Sequence, residues 1–258
     1  MAILGLLSCN GSPGVTTLAV GLALSWPRAV LLADCDPGAH QAVLAGYLAG
    51  QSASGKGLLR VAEAHRDRRP LREVVIDQCL PLADQGGQRR LFLPGFARPS
   101  SAGHFANVWE ELADTFDRLA EVDIDVIVDL GRIGPLGLPA ALLERTALTA
   151  VVLASNLRSV MSARLNLPAL TEGRDPRGRE RLGLVLVGEG EPYRAGEITK
   201  ALGVPVVASL PRDPGSAAHF SDGAPQPRKF EAAPLVRGVR GAASTFAAAL
   251  QRSTELVR

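Results

Sequence analysis

Six short apolar runs punctuate the chain: Ile3–Ser8, Ala29–Ala33, Asp125–Asp129, Thr149–Ala154, Leu182–Val187 and Pro205–Leu210. Each is rich in Val, Leu or Ile and lacks the alternation of a half-exposed strand. Strands buried on both faces of a parallel sheet have this pattern. Segments with helical spacing lie between the runs. Thr16–Ser25 follows the first, and Val108–Ala120 precedes the third, with apolar residues at Val108, Leu112, Phe116 and Leu119. Leu136–Arg145, Val160–Leu170 and Ala195–Leu202 come next, and the stretch from Leu235 to Val257 reads as a closing helix. Alternating strands and helices with right-handed crossovers predict an α/β fold, a doubly wound, mostly parallel sheet with helices on both faces.

The expected organisation is one domain over residues 1–258 with an irregular insertion around 50–101. That insertion is expected to hold a helix near Gly57–His65, an Arg-rich stretch at Arg66–Arg72, a turn at Gln85–Gln88 and one or two short strands, Leu91–Leu93 among the apolar runs. Glu172–Arg181, dense in charge, and Ser221–Lys229, rich in Pro and Gly, read as loops.

Composition narrows this picture. Aromatic residues make up only 4%, so the core must come from Ala, Val, Leu and Ile, which disfavours an aromatic-rich β-sandwich. A net charge of +2 is too small to imply nucleic-acid binding by itself. The three cysteines, Cys9, Cys35 and Cys79, are odd in number and show no CxxC spacing, which points to a reducing compartment. The first apolar run lacks a basic flank, is interrupted by Gly5 and stops at a Gly/Pro turn, unlike a signal peptide. No run approaches the roughly 20 apolar residues that span a bilayer. A cytoplasmic location is expected. The four histidines share no ligand spacing and are expected at the surface, and no serine sits in a Gly-x-Ser-x-Gly elbow.

The candidate chemistry lies after the first strand. Cys9-Asn10-Gly11-Ser12-Pro13-Gly14-Val15-Thr16-Thr17 runs straight into a helix. Small residues at a strand-to-helix turn let backbone N–H groups converge on an anion, and the helix N-terminus adds partial positive charge. Two readings stand: a phosphate cradle, or a tight turn with Thr16 capping the helix. Asp34 and Asp36 end the second strand and Asp129 ends the third, where parallel sheets place their ligand crevice. Asp34 and Asp36 also suit a turn-capping role.

Together these features resemble the ParA/MinD superfamily of deviant Walker P-loop ATPases, whose loop runs Lys-Gly-Gly-x-Gly-Lys-Thr-Thr. Leu182–Gly188 and Ile198–Asp213 look like that family's last strands. The resemblance covers nearly the whole chain, weakly over 50–100. It is nearest to an actinobacterial MinD/CpaE/TadZ-like branch with a Gly-x-Pro-Gly-Val-Thr-Thr loop. It implies that Asn10 to Thr17 line a nucleotide, that Thr16 and Asp129 hold Mg2+, and that Asp36 orients the attacking water. It also places Asn10 and Val15 where the family has its two lysines. The family often has Gln where Gly38 stands, and many relatives have Asn near Gly188.

A lysine at about 4 Å from a phosphate charge contributes roughly 4 kcal/mol at an effective dielectric near 20, before desolvation. Without either lysine, ATP and Mg2+ are expected to bind weakly and hydrolysis to be weak or absent. Arg132, Arg158, Arg212 or Lys56 could replace the charge, or the backbone cradle and metal could act alone. The resemblance implies a localisation or assembly factor with a protein partner, such as a pilus or secretion ATPase or a polar scaffold, and allows a homodimer. The alternative is an active partitioning ATPase that dimerises on ATP and binds DNA. Arg66–Arg72 reads as a solvated face or a contact for DNA phosphates or an acidic partner. The closing helix either packs on the sheet or resembles a membrane-targeting tail. Its alanines and single aromatic, Phe246, make a poor interfacial anchor, so membrane association is not expected to be intrinsic.

Overall fold

Strand β1 (Ile3–Ser8) is buried along its length because its alternate residues enter two different cores, Ile3 and Leu7 on one side and Leu4 and Leu6 on the other. The same division holds in β2 (Ala29–Asp34), where Leu31 and Ala33 face one core and Val30 and Leu32 the other. Two-sided burial produces unbroken apolar runs, and two layers of helices supply it. The computed structural model describes residues 3–11, 13–83, 88–134, 137–171 and 180–255.

The remaining strands are β3 (Leu80–Ala83), β4 (Arg90–Leu93), β5 (Ile124–Arg132), β6 (Leu148–Ala154), β7 (Leu182–Val187) and β8 (Val206–Leu210). They form one eight-stranded sheet in the order β3-β4-β2-β5-β1-β6-β7-β8. All neighbours are parallel except β3, which pairs antiparallel with β4 at the edge. Pro81, which has no N–H to donate, sits on that edge strand with its side exposed.

Helices α1 (Val15–Ser25), α8 (Pro214–Asp222) and α9 (Pro234–Glu255) cover one face. The other carries α2 (Leu58–Arg66), α3 (Leu71–Asp77), α4 (Trp109–Arg118), α5 (Ala140–Arg145), α6 (Leu157–Thr171) and α7 (Ala195–Leu202). The doubly wound, mostly parallel architecture expected from the sequence is therefore present.

Several details differ. The third expected strand runs on to Arg132, whereas β3 and β4 are the short strands expected within 50–101, β4 taking in Leu91–Leu93. The helix expected from Leu136 begins at Ala140, with Leu136 outside the described residues. Helix α3 starts at the end of the Arg-rich stretch and runs beyond it, with Leu71, Val74 and Val75 as its buried face. Helix α8 was not expected. Asp213 caps it by accepting the Ser216 N–H at 3.1 Å, Pro214 starts it, and Gly223 closes it in the left-handed region. It carries the chain to Asp222, inside the loop expected from Ser221. Most of the charged loop 172–181, the greater part of the turn at 85–88 and Val257 lie outside the described residues.

The link between α1 and β2 is fixed to the start of β5. Asp125 accepts the Trp26 indole N–H at 2.8 Å and two Arg28 N–H groups at 2.6 and 3.0 Å. This tie sets the opposite end of α1 and leaves its N-terminus facing the carboxyl ends of the strands.

Candidate functional site

Along the sheet, β1 is flanked by β5 and β6, and the chain winds outward in opposite directions on its two sides. Ligand crevices in such sheets open at that reversal, beyond the strand carboxyl ends. The loop from Cys9 to Gly14 lies there and enters α1 through Gly14, which is left-handed at φ 97°. No side chain caps α1, and its first turn contains no acidic residue. Its leading N–H groups are left without the side-chain acceptor that usually satisfies them.

Thr16 does not cap the helix. Its hydroxyl donates to Asp129 Oδ2 at 2.6 Å, bridging the start of α1 and β5. Asp129 also accepts the Gly131 N–H at 2.8 Å. Burial raises the Asp129 carboxyl to about 6; the Thr16 and Gly131 bonds oppose the rise and the Asp36 charge adds to it.

Asp34 and Asp36 bring two more carboxyls. Asp34 lies opposite Asp129 in the β2–β5 register and is buried. Burial first, and then the charge of Asp129, pushes it well above the usual carboxylate range. Asp34 accepts the Asp36 N–H at 3.2 Å and Asp36 accepts the Gly38 N–H at 2.8 Å, so both do cap the turn. Asp36 also reaches His40 Nδ1 at 2.7 Å. Its carboxyl sits over the backbone of Gly131, whose φ is +66° and where a Cβ would come within 2.2 Å of Asp36 Cγ. Only glycine fits there.

The two positions that the resemblance aligns with lysines differ in kind. Asn10 is half-buried at the loop, whereas Val15 is buried, 7% exposed, in the core beneath α1. Val15 thus turns the first residue of α1 into a packing residue. Gly11 is exposed with open space around it, and Ser12 lies outside the described residues. Pro13, Gly14 and Thr17 line a cleft of about 200 Å³, with Leu210, Arg212 and Phe220 also in its wall.

Of the cations considered as replacements, Arg212 is the one lining this cleft, and it has no ion pair among the described residues. Lys56 is held elsewhere, donating to the Cys79 carbonyl at 3.2 Å. Arg132 and Arg158 are exposed and do not line the cleft. Leu210 ends β8, Arg212 lies in the link that follows and Phe220 belongs to α8, so of this wall only Arg212 was among the residues singled out from the sequence. A visible clue was the Asp213-Pro214 helix start.

The donor set fits Mg2+. A hydroxyl and a carboxylate already in contact are hard oxygen ligands, and Mg2+ completes its shell with water and phosphate oxygens. Among the described residues no group of three or more His, Cys, Asp or Glu is arranged to hold a metal, so nucleotide oxygens would be needed. The loop fits a phosphate in shape: its helix end is uncapped and the space at Gly11 is open. It lacks the lysine charge.

The other candidates carry no such chemistry. Cys9, Cys35 and Cys79 are free and buried. Burial pushes the thiols up, Cys9 to about 11 and Cys79 to about 12, with Cys35 also well above its usual range. A thiol that stays protonated at neutral pH is a poor nucleophile and ligand. His40 and His104 are exposed as expected, His40 being tied to Asp36. Two histidines depart from the surface expectation: His65 is half-buried beside Glu111, and His219 is half-buried in a ring cluster with Tyr47, Phe220 and Phe230. No helix of the described chain is long and apolar enough to cross a membrane.

Comparison with known proteins places this geometry. No family model and no curated protein matches the chain by sequence. Solved structures match throughout its length. A ParA family ATPase from Chlorobium tepidum TLS superposes with a TM-score of 0.74 at 18% identity, covering 94% of this chain and 98% of that one. MinD from Pyrococcus horikoshii OT3, solved in complex with Mg-ADP, gives 0.63 at 17% identity over 93% of each chain. A MinC:MinD cell division complex from Aquifex aeolicus gives 0.69 at 16% identity over 95% of each. The fold is that of the ParA/MinD P-loop proteins.

Proposed function

We propose that this chain is a localisation or assembly factor on the ParA/MinD fold, acting through a protein partner and holding ATP and Mg2+ weakly, with hydrolysis weak or absent. Val15 carries the proposal. An apolar side chain packed into the core occupies the position of the phosphate-binding lysine, while Thr16, Asp129 and Asp36 keep their places. Bound Mg-ATP would supply the phosphate charge that orders the loop and an anhydride open to attack by water. The first-turn N–H groups of α1 and those of Asn10, Gly11 and Gly14 would donate to phosphate oxygens. Thr16 and Asp129 would hold the metal, and Asp36 would orient water where hydrolysis occurs. None of these groups brings the positive charge that develops its greatest effect in the transition state.

The partner class, a pilus or secretion ATPase or a polar scaffold, follows the likeness to the CpaE/TadZ branch. The Aquifex MinD solved with MinC makes a protein partner reasonable for this fold. The test is calorimetry with ATP and Mg2+ on the wild type and on Val15→Lys, with circular dichroism to check folding. The variant is expected to bind at least about tenfold tighter, a gain of about 1.4 kcal/mol and a fraction of the bare charge contact. Wild-type turnover at an ordinary family rate, abolished by Asp36→Ala, would overturn the proposal.

One observation favours a second reading. Arg212 lines the same cleft as Pro13, Gly14 and Thr17, which suits a substitute cation. The chain would then be an active partitioning ATPase that dimerises on ATP and binds DNA. It predicts ATP turnover that Arg212→Ala removes, an ATP-dependent shift in sedimentation, and salt-sensitive DNA binding. An unchanged sedimentation profile and no DNA binding at low salt exclude it.

A further inference from the structure

Helix α6 is apolar on two opposite faces. Val160, Ala163, Leu167 and Leu170 are buried against the sheet and α7. On the opposite side, Leu157 is 59%, Met161 45% and Leu165 76% exposed. They fall at i, i+4 and i+8, forming one stripe about 12 Å long. Three of the five large hydrophobic side chains exposed among the described residues therefore lie on this helix. A helix with apolar residues all round belongs in an interior. By contrast, α4 buries Leu112, Ala113 and Phe116 and turns Glu110, Glu111, Asp114 and Asp117 toward water or the rim.

Charge selects the occupant. At about 100° per residue, Arg158 and Arg164 flank the stripe about 60° to either side of its centre. Both are exposed, and neither has an ion pair among the described residues. The helix carries no acidic residue. A second copy packing face to face through α6 would set arginines against arginines, which a two-fold contact cannot relieve. We propose that the outer face of α6 docks an amphipathic helix of a partner protein, with aliphatic residues along its contact face and acidic residues on both flanks. The choice of a protein occupant rests on the partner-dependent function above. Ser162, on the Arg158 side of the stripe, donates to the Cys9 carbonyl at 3.1 Å. The docking face thus adjoins the start of the phosphate loop.

The probe is a fluorescein-labelled designed helix of roughly five turns, with leucines on one face and glutamates on both flanks, and a counterpart bearing lysines in place of the glutamates. Anisotropy on the full chain is expected to show the acidic helix binding at least about tenfold tighter than the basic one. Met161→Glu with Leu165→Glu should abolish that binding. Arg158→Glu with Arg164→Glu should invert the preference toward the basic helix. All four substitutions are exposed, so folding is retained and melting curves check it. Equal binding of the two probes, or no effect of the substitutions, overturns the proposal. So does sedimentation in which the apolar-face variant turns a dimer into a monomer, because a second copy then covers the stripe. The Val15→Lys calorimetry does not involve this face, so the partner site and the nucleotide reading can fail separately.

Discussion

Asp129 is the residue on which the phosphate loop, the sheet and the solution pH meet. Its carboxyl is buried and raised to about 6 from an ordinary 3.8. Between those values the folded chain holds a proton that the unfolded chain has released. Stability therefore falls as pH rises from about 4 to about 6, and the full loss persists above that. The displacement corresponds to a loss on the order of 3 kcal/mol. Asp129→Asn is expected to be more stable than the wild type at pH 7 and to show a flatter dependence, measured by urea unfolding from pH 4 to 7.5. The flattening is partial, because Asp34 is shifted in the same direction. Gly131→Ala should cost about 1–3 kcal/mol, combining a positive φ with the overlap on Asp36. Urea unfolding reads that loss as well. Asp36 and Asp129 were legible in the sequence because each stands at the end of an apolar run, and Thr16 because it follows a Gly-rich turn at the start of a helix. The bond from His40 to Asp36 was not, since nothing local marks it, and Arg212 was one of four candidate cations that only the fold separates.

At the scale of elements, the tie at Asp125 holds the α1–β2 link against β5. Asp125→Ala leaves the Trp26 and Arg28 donors without their acceptor. The expected loss is about 2–3 kcal/mol, below the figure for a fully buried pair because Arg28 is one-third exposed. Thermal unfolding should show it, and Asp125→Asn should recover part by keeping an acceptor for the indole. Five of the six strands read from the sequence are buried on both faces, which gives each an apolar run with no competing period, whereas β8 is an edge strand with only Leu210 buried. The short elements within 50–101 were harder to read. Only one side of α3 is apolar, among arginines, and β3 alternates buried and exposed residues around Pro81. Helix α8 had a start signal in Asp213-Pro214, but its interior of Gly, Ser, Ala and His resembles a loop in composition.

Across the whole molecule, α9 shows how a segment with two sequence readings settles on one contact. Leu235, Val236, Val239, Phe246 and Leu250 are buried in the core on the α1 face, with Val239 against Gly21. Phe246→Ala is expected to cost about 3–5 kcal/mol by leaving a cavity. Vesicle flotation should be unchanged, whereas a membrane tail would lose binding and keep its stability. The order of the sheet also bears on how the protein is made. β1 leaves the ribosome first, yet its neighbours are β5, which begins at Ile124, and β6, which begins at Leu148. At ordinary translation speeds this central strand waits on the order of ten seconds for its first partner. Over that interval the nascent chain presents an unpaired apolar strand, and newly synthesised protein should depend on chaperones more than refolded protein does.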